Sequence, residues 1–156
     1  MYGKYRGMVT NNRDPQTRGR VQVNVPSVIP ASDPQWAEAC VPYAGNQTGM
    51  LLLPMPGDNV WVEFEGGDTS KPIWTGCFWN SGMAPGNEAL QKIFKTLTAT
   101  LTLSELPGDP EVAIENVTGA KITLQGPKIT IDSGAGGVVV IEGPKVTVNN
   151  GALEVI

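Results

Sequence analysis

The chain has 156 residues, 40% hydrophobic and 17% charged, with 19 Gly and 13 Pro. That allows one ordinary domain or two very small ones, built of short strands and many turns. The net charge of −4 disfavours a nucleic-acid partner, which needs clustered Lys and Arg, and the absence of His rules out the usual nucleophile–base triads.

The first half breaks into short strand candidates. Lys4–Thr10 is followed by the loop Asn11-Asn12-Arg13-Asp14-Pro15. Arg20–Val25 alternates apolar and polar residues up to Pro26. After a loop with Pro30, Asp33 and Pro34 comes Trp36–Val41. Gly49-Met50-Leu51-Leu52-Leu53 is a continuous apolar run, expected as a strand buried on both faces. Pro54-Met55-Pro56-Gly57-Asp58 turns into Val60–Glu65, and Gly66-Gly67-Asp68 turns into Pro72–Trp79. Five or six such strands predict a small closed β-barrel, because closure removes sheet edges. Cys40 and Cys77 sit in apolar contexts and are expected to be buried free thiols.

Composition changes near residue 80. All four Trp, all three Tyr and all four Arg precede it, and no aromatic follows Phe94. Large aromatics are expected to fill the core of the first half. Asn80–Asn87 reads as a connecting segment. The second half repeats: Gly119-Ala120-Lys121-Ile122-Thr123-Leu124 recurs from Gly126-Pro127-Lys128 and again from Gly143-Pro144-Lys145, with looser copies from Gly137 and Gly151. Each copy is an alternating strand closed by a Gly turn, the signature of a stacked β architecture. With two or three aliphatics per strand, one chain alone leaves apolar edges unpaired. Winding identical chains around a common axis, three by preference, pairs them.

The first half carries an ordered train of motifs: Gly7–Pro15, Arg18–Val23, Trp36-Ala37, Ala44-Gly45, Leu53–Phe64, Gly66-Gly67-Asp68 and Pro72–Asn80. In order and spacing it resembles the OB-fold domain of the central spikes of contractile machines. These are phage baseplate spikes, valine-glycine-repeat spikes of type VI secretion, and spikes of phage-like extracellular injection systems. Phe94–Leu103 and Gly119–Leu124 more weakly resemble the start of the family's trimeric β-helix. The resemblance implies an all-β homotrimer: an OB-fold barrel over 1–80, a linker over 81–93 and a short intertwined β-helix or β-prism needle over 94–156. It implies docking on a baseplate hub protein and transient piercing of a target membrane. Two features of the family are missing: a lysozyme domain between barrel and needle, and the His-x-His iron site of some needle tips.

Few residues suggest chemistry. Glu63 and Glu65 stand at i,i+2 spacing on one strand face, expected to be a solvent face. Asp132-Ser133-Gly134-Ala135-Gly136-Gly137 lacks a second acidic ligand in register and reads as a plain turn rather than a calcium loop. No catalytic residue, metal site or cofactor is expected, and the protein is read as structural rather than enzymatic. Arg6, Arg13, Arg18 and Arg20 form the one basic concentration and are assigned to hub docking. Leu153, Val155 and Ile156 form an apolar end expected to contact a tip protein of the PAAR-repeat kind. The alternative is an OB-fold single-strand nucleic-acid binder with a β-rich oligomerisation tail; a glycan hydrolase is the enzymatic rival. Met1 is followed by no apolar h-region, and no apolar run is long enough for a membrane span. Assembly in the cytoplasm, as part of a phage tail or phage-tail-like particle, is the expected location.

Overall fold

The computed structural model describes residues 1–155, with the side chains of Asn150, Glu154 and Val155 outside the description. No α-helix occurs among the described residues, and the chain forms two compact units, Met1–Met83 and Ala84–Ile156.

The first unit is a closed barrel of five strands: β1 (Tyr5–Asn11), β2 (Val21–Asn24), β3 (Gln35–Ala39), β6 (Asn59–Phe64) and β7 (Pro72–Cys77). Around the barrel the order is β1-β2-β3-β7-β6, all antiparallel except β3 against β7. Alternation determines which side chains enter. In β6 the residues Val60, Val62 and Phe64 are buried while Asn59, Trp61 and Glu63 between them are half-buried. The core comprises Val9, Val21, Val23, Val25, Ile29, Ala37, Val60, Val62, Phe64 and Trp74. Valine dominates because the interior of a five-stranded barrel is narrow and β-branched side chains suit strands. The expected aromatic core is therefore corrected: only Phe64 and Trp74 belong to it, whereas Trp36 and Trp61 are half-buried and Trp79 is exposed. Gly7 lies where the wall is tightest, since a Cβ there would meet the Asn24 carbonyl oxygen at 3.0 Å and Val62 Cγ2 at 3.1 Å.

The segment joining β3 to β6 departs from expectation. It carries a two-residue hairpin, β4 (Ala44–Gly45) with β5 (Thr48–Gly49), and then Met50–Leu53 as irregular chain rather than a buried strand. Met50, Leu51 and Leu52 are 49%, 71% and 50% exposed. Only Leu53 packs on the core, with Pro54 buried behind it. A closed barrel leaves no free edge for a sixth strand to pair with.

The second unit is a single eight-stranded antiparallel sheet in sequence order. It comprises β8 (Gln91–Lys95), β9 (Ala99–Ser104), β10 (Glu111–Asn116), β11 (Lys121–Gln125), β12 (Lys128–Asp132), β13 (Val138–Glu142), β14 (Lys145–Val148) and β15 (Leu153–Val155). The repeated Gly-Pro pairs are its tight turns. Gln125 pairs with Lys128 and Glu142 with Lys145, leaving two-residue loops. Gly126 (φ 55°) and Gly143 (φ 58°) supply the positive φ that the first loop position of a type II′ hairpin needs, and Pro follows at the second. Strands expected to pair between chains thus pair within one, each with its sequence neighbour. Besides the outer edges of β8 and β15, a face of the sheet remains without a partner among the described residues.

Candidate functional site

Register defines that face. One cross-strand row runs Leu103, Val112, Leu124, Ile129, Ile141, Val146. A second, two residues along each strand, runs Phe94, Leu101, Ile114, Ile122, Ile131, Val139, Val148, Leu153. Both rows are unbroken and aliphatic apart from Phe94. The opposite face carries Thr102, Ala113, Thr123, Thr130, Val140 and Thr147 in its central row. On that face Ala113 is buried, and Lys121 pairs with Glu111 at 3.1 Å diagonally across it. On the aliphatic face Leu103, Ile114, Ile122, Leu124, Ile131 and Ile141 all remain exposed. The face is charged at one end: Lys92, in register with Leu103, is ion-paired with Glu105. At the other end it reaches Leu153, which is exposed. Val155 is in register with Val146, and Ile156 lies outside the described residues.

The four arginines have separate surroundings. Arg20 is held by Asp14, with Nη2 donating to Oδ1 at 2.8 Å and Nε at 3.2 Å, the two side chains being only 12% and 4% exposed. The backbone N–H groups of Gln16, Arg18 and Arg20 also donate to the Asp14 carboxylate. The Arg20 guanidinium, then these N–H groups, hold its pKa far below the usual carboxylate range. Asp14 in turn raises the pKa of Arg20, whose guanidinium lies 5.2 Å over the Trp36 ring. Arg18 pairs with Glu38 of β3 at 3.0 Å. Arg6 on β1 stacks over Trp61 at 5.0 Å and Phe78 at 4.5 Å. Arg13 is exposed in the loop between β1 and β2. A strand-binding groove would need these charges free and aligned; two of the four already carry a carboxylate.

The remaining candidates are structural. Glu63 pairs with Lys4 at 2.9 Å, and Glu65 lies in the turn after β6. In that turn Asp68 accepts from the Ser70 N–H and hydroxyl, which lowers its pKa. Asp132 Oδ1 accepts the Gly134 N–H at 2.7 Å and Ser133 Oγ accepts that of Gly137 at 3.0 Å, closing the turn between β12 and β13. Cys40 and Cys77 are free thiols, but both are exposed, which corrects the expected burial. The β6–β7 register shifts between Val60 and Val62, and Cys77 at the end of β7 points outward. Partial burial, with the Asp58 carboxylate nearby, raises its pKa.

Sequence reading missed a hollow of about 740 Å³ beside β3, reached by Ala39, Val41, Tyr43, Leu51, Leu53 and Trp74. Among its lining residues, Trp74 Nε1–H donates to the Gly19 carbonyl at 3.2 Å. The clue was the apolar run itself, too long and too uniform for a strand of so small a barrel.

Residues 5–79 match the family model described as the type VI secretion system and phage-baseplate injector OB domain. Residues 91–154 match the phage baseplate V C-terminal trimerisation domain. This chain belongs to the phage-baseplate spike family. The first match covers the barrel, and the second covers the sheet with the aliphatic face. No curated protein matches the chain. Both families are structural components of the baseplate, and the trimerisation domain supports a homotrimer. No helix among the described residues is long and apolar enough to cross a membrane.

Proposed function

We propose that three copies of this chain form the central spike of a contractile injection machine, with the barrels docked on a hub and the sheets driven through a target envelope. The observation that carries this reading is the uncovered aliphatic face of β8–β15. Three such sheets, packed face to face about one axis, form a triangular prism with a dry interior and a threonine-rich exterior. Completing the burial of one Leu or Ile on that face is worth about 1 kcal/mol. Nine Leu or Ile on that face of each chain, beside four Val and Phe94, weigh against an association cost of roughly 4–15 kcal/mol.

Rigidity comes from the hairpin ladder, in which each strand is hydrogen-bonded to its neighbours along the sheet. Eight strands at about 4.8 Å spacing give a prism roughly 34 Å long, a short needle. The proposed division is a barrel over 1–80, a linker over 81–93 and a needle over 94–156; strand β8 starts at Gln91, inside the end of that linker.

Hub docking is proposed for Arg6, Arg13, Arg18 and Arg20, the last held in place by Asp14. Tip contact is proposed for Leu153, Val155 and Ile156, the first of which is exposed on the aliphatic face. A PAAR-like protein with an apolar triangular base fits that chemistry. Assembly takes place in the cytoplasm, and the reading assigns no reaction to any residue.

Deleting the gene from a host that makes contractile particles tests the assignment. Electron cryomicroscopy is expected to show particles without axial spike density, restored by the full chain. Unaltered spike density in the deletion strain would contradict it.

A further inference from the structure

Met50, Leu51 and Leu52 are exposed on the loop between β5 and β6. Tyr43, Leu51 and Met55 are each more than half exposed, with Met50 and Leu52 at about half, on one loop beside an apolar hollow. Single surface leucines need no account, but five large apolar side chains on one loop mark a contact surface. The loop is also firmly held. Met50 N–H donates to the Tyr43 carbonyl at 2.9 Å, the Tyr43 hydroxyl to Thr48 Oγ1 at 3.0 Å, and Leu53 is packed on the core. The leucines are therefore presented outward rather than frayed. Arg18, the charged residue lining the hollow, is paired with Glu38 of β3, which reduces repulsion toward a like surface there.

We propose that this surface is covered by the barrel of a second copy of the same chain, each barrel seating its Met50–Leu52 loop against the next around the three-fold axis. The inference rests on the trimeric reading above. The tether selects the occupant. From Ala84 to Leu90, seven residues separate the first unit from β8, and seven residues reach at most about 25 Å. Once three sheets have assembled, each barrel is confined within that reach of the same assembly. The other two barrels are then present at an effective concentration in the millimolar range. An apolar contact too weak to dimerise free barrels forms under that constraint. In three-fold symmetry the contact is heterologous, loop onto neighbouring barrel, and closes after three copies.

Hydrogen exchange on the full-length protein, read by mass spectrometry beside its solution mass, tests this. The N–H groups of Leu51 and Leu52 have no acceptor among the described residues. They exchange at nearly the free rate unless another chain covers them. In the trimer their exchange is expected to slow at least tenfold. The double variant Leu51→Asp, Leu52→Asp is expected to keep the mass of three chains and lose the slowing. A three-chain mass with free exchange at 51 and 52 would overturn this inference alone, as would slowing that appears only when a hub protein is added. A one-chain mass would overturn the trimeric reading and this contact with it.

Discussion

Asp14 holds the guanidinium of Arg20 through Nη2 at 2.8 Å and Nε at 3.2 Å, and the same carboxylate accepts three backbone N–H groups of its own loop. One charge thus fixes the path from β1 to β2 and positions Arg20 over Trp36. Hydrogen bonds to a charged group contribute about 1.5–3 kcal/mol, so Asp14→Asn is expected to destabilise the barrel by about 2 kcal/mol at neutral pH. All four Trp lie in the barrel, so their fluorescence in a urea titration follows this unit alone. The folded carboxyl titrates far below its unfolded value of about 4. The stabilisation is therefore complete above about pH 4 and is lost as pH falls toward the folded pKa. The gap between wild type and Asp14→Asn should narrow below pH 4; a gap independent of pH would refute the assignment.

Gly7→Ala tests the tight wall of the barrel. Its Cβ would stand 3.0 Å from a backbone oxygen that cannot easily retreat. A loss of about 1–3 kcal/mol is expected by the same fluorescence measurement. No loss would mean that β1 and β2 have room between them.

Gly126→Ala and Gly143→Ala test the Gly-Pro turns. Each places a side chain at a positive φ, which costs about 1–2 kcal/mol. Far-ultraviolet circular dichroism should show a lower melting temperature for the sheet, while Trp fluorescence of the barrel stays unchanged.

Ile131→Asp and Thr130→Asp separate the two sheet faces with adjacent residues. Ile131 stands in the middle of the aliphatic row and Thr130 on the opposite face. Burying three carboxylates around one axis costs several kcal/mol each, so Ile131→Asp should block assembly. Thr130→Asp should assemble as the wild type does. Equal behaviour of the two variants in size-exclusion chromatography would contradict the facial assignment.

Much of this fold was legible because alternation and turn chemistry agree. Val60-Trp61-Val62-Glu63-Phe64 reads in and out at every step, and the structure keeps that order. Gly126-Pro127 and Gly143-Pro144 marked their turns for the same local reason. Failures came where tertiary geometry decides. A run such as Met50–Leu53 has no period, and only the closed barrel dictates that it stays off the sheet. The tryptophans were assigned to the core by size, yet a five-stranded interior holds valines and puts Trp36 and Trp61 on the wall beneath arginines. The arginines looked like one cluster in sequence; pairing with Asp14 and Glu38 divides them. The aliphatic rows were visible strand by strand, but their continuity across β9–β14 depends on register, which sequence alone does not specify.

Light scattering on the purified full-length chain tests the central claim most directly, because every part of the spike reading depends on the aliphatic face being covered by two further copies. The account predicts a single species with three times the mass of one chain, unchanged on dilution to micromolar concentration. A stable, soluble monomer would contradict it.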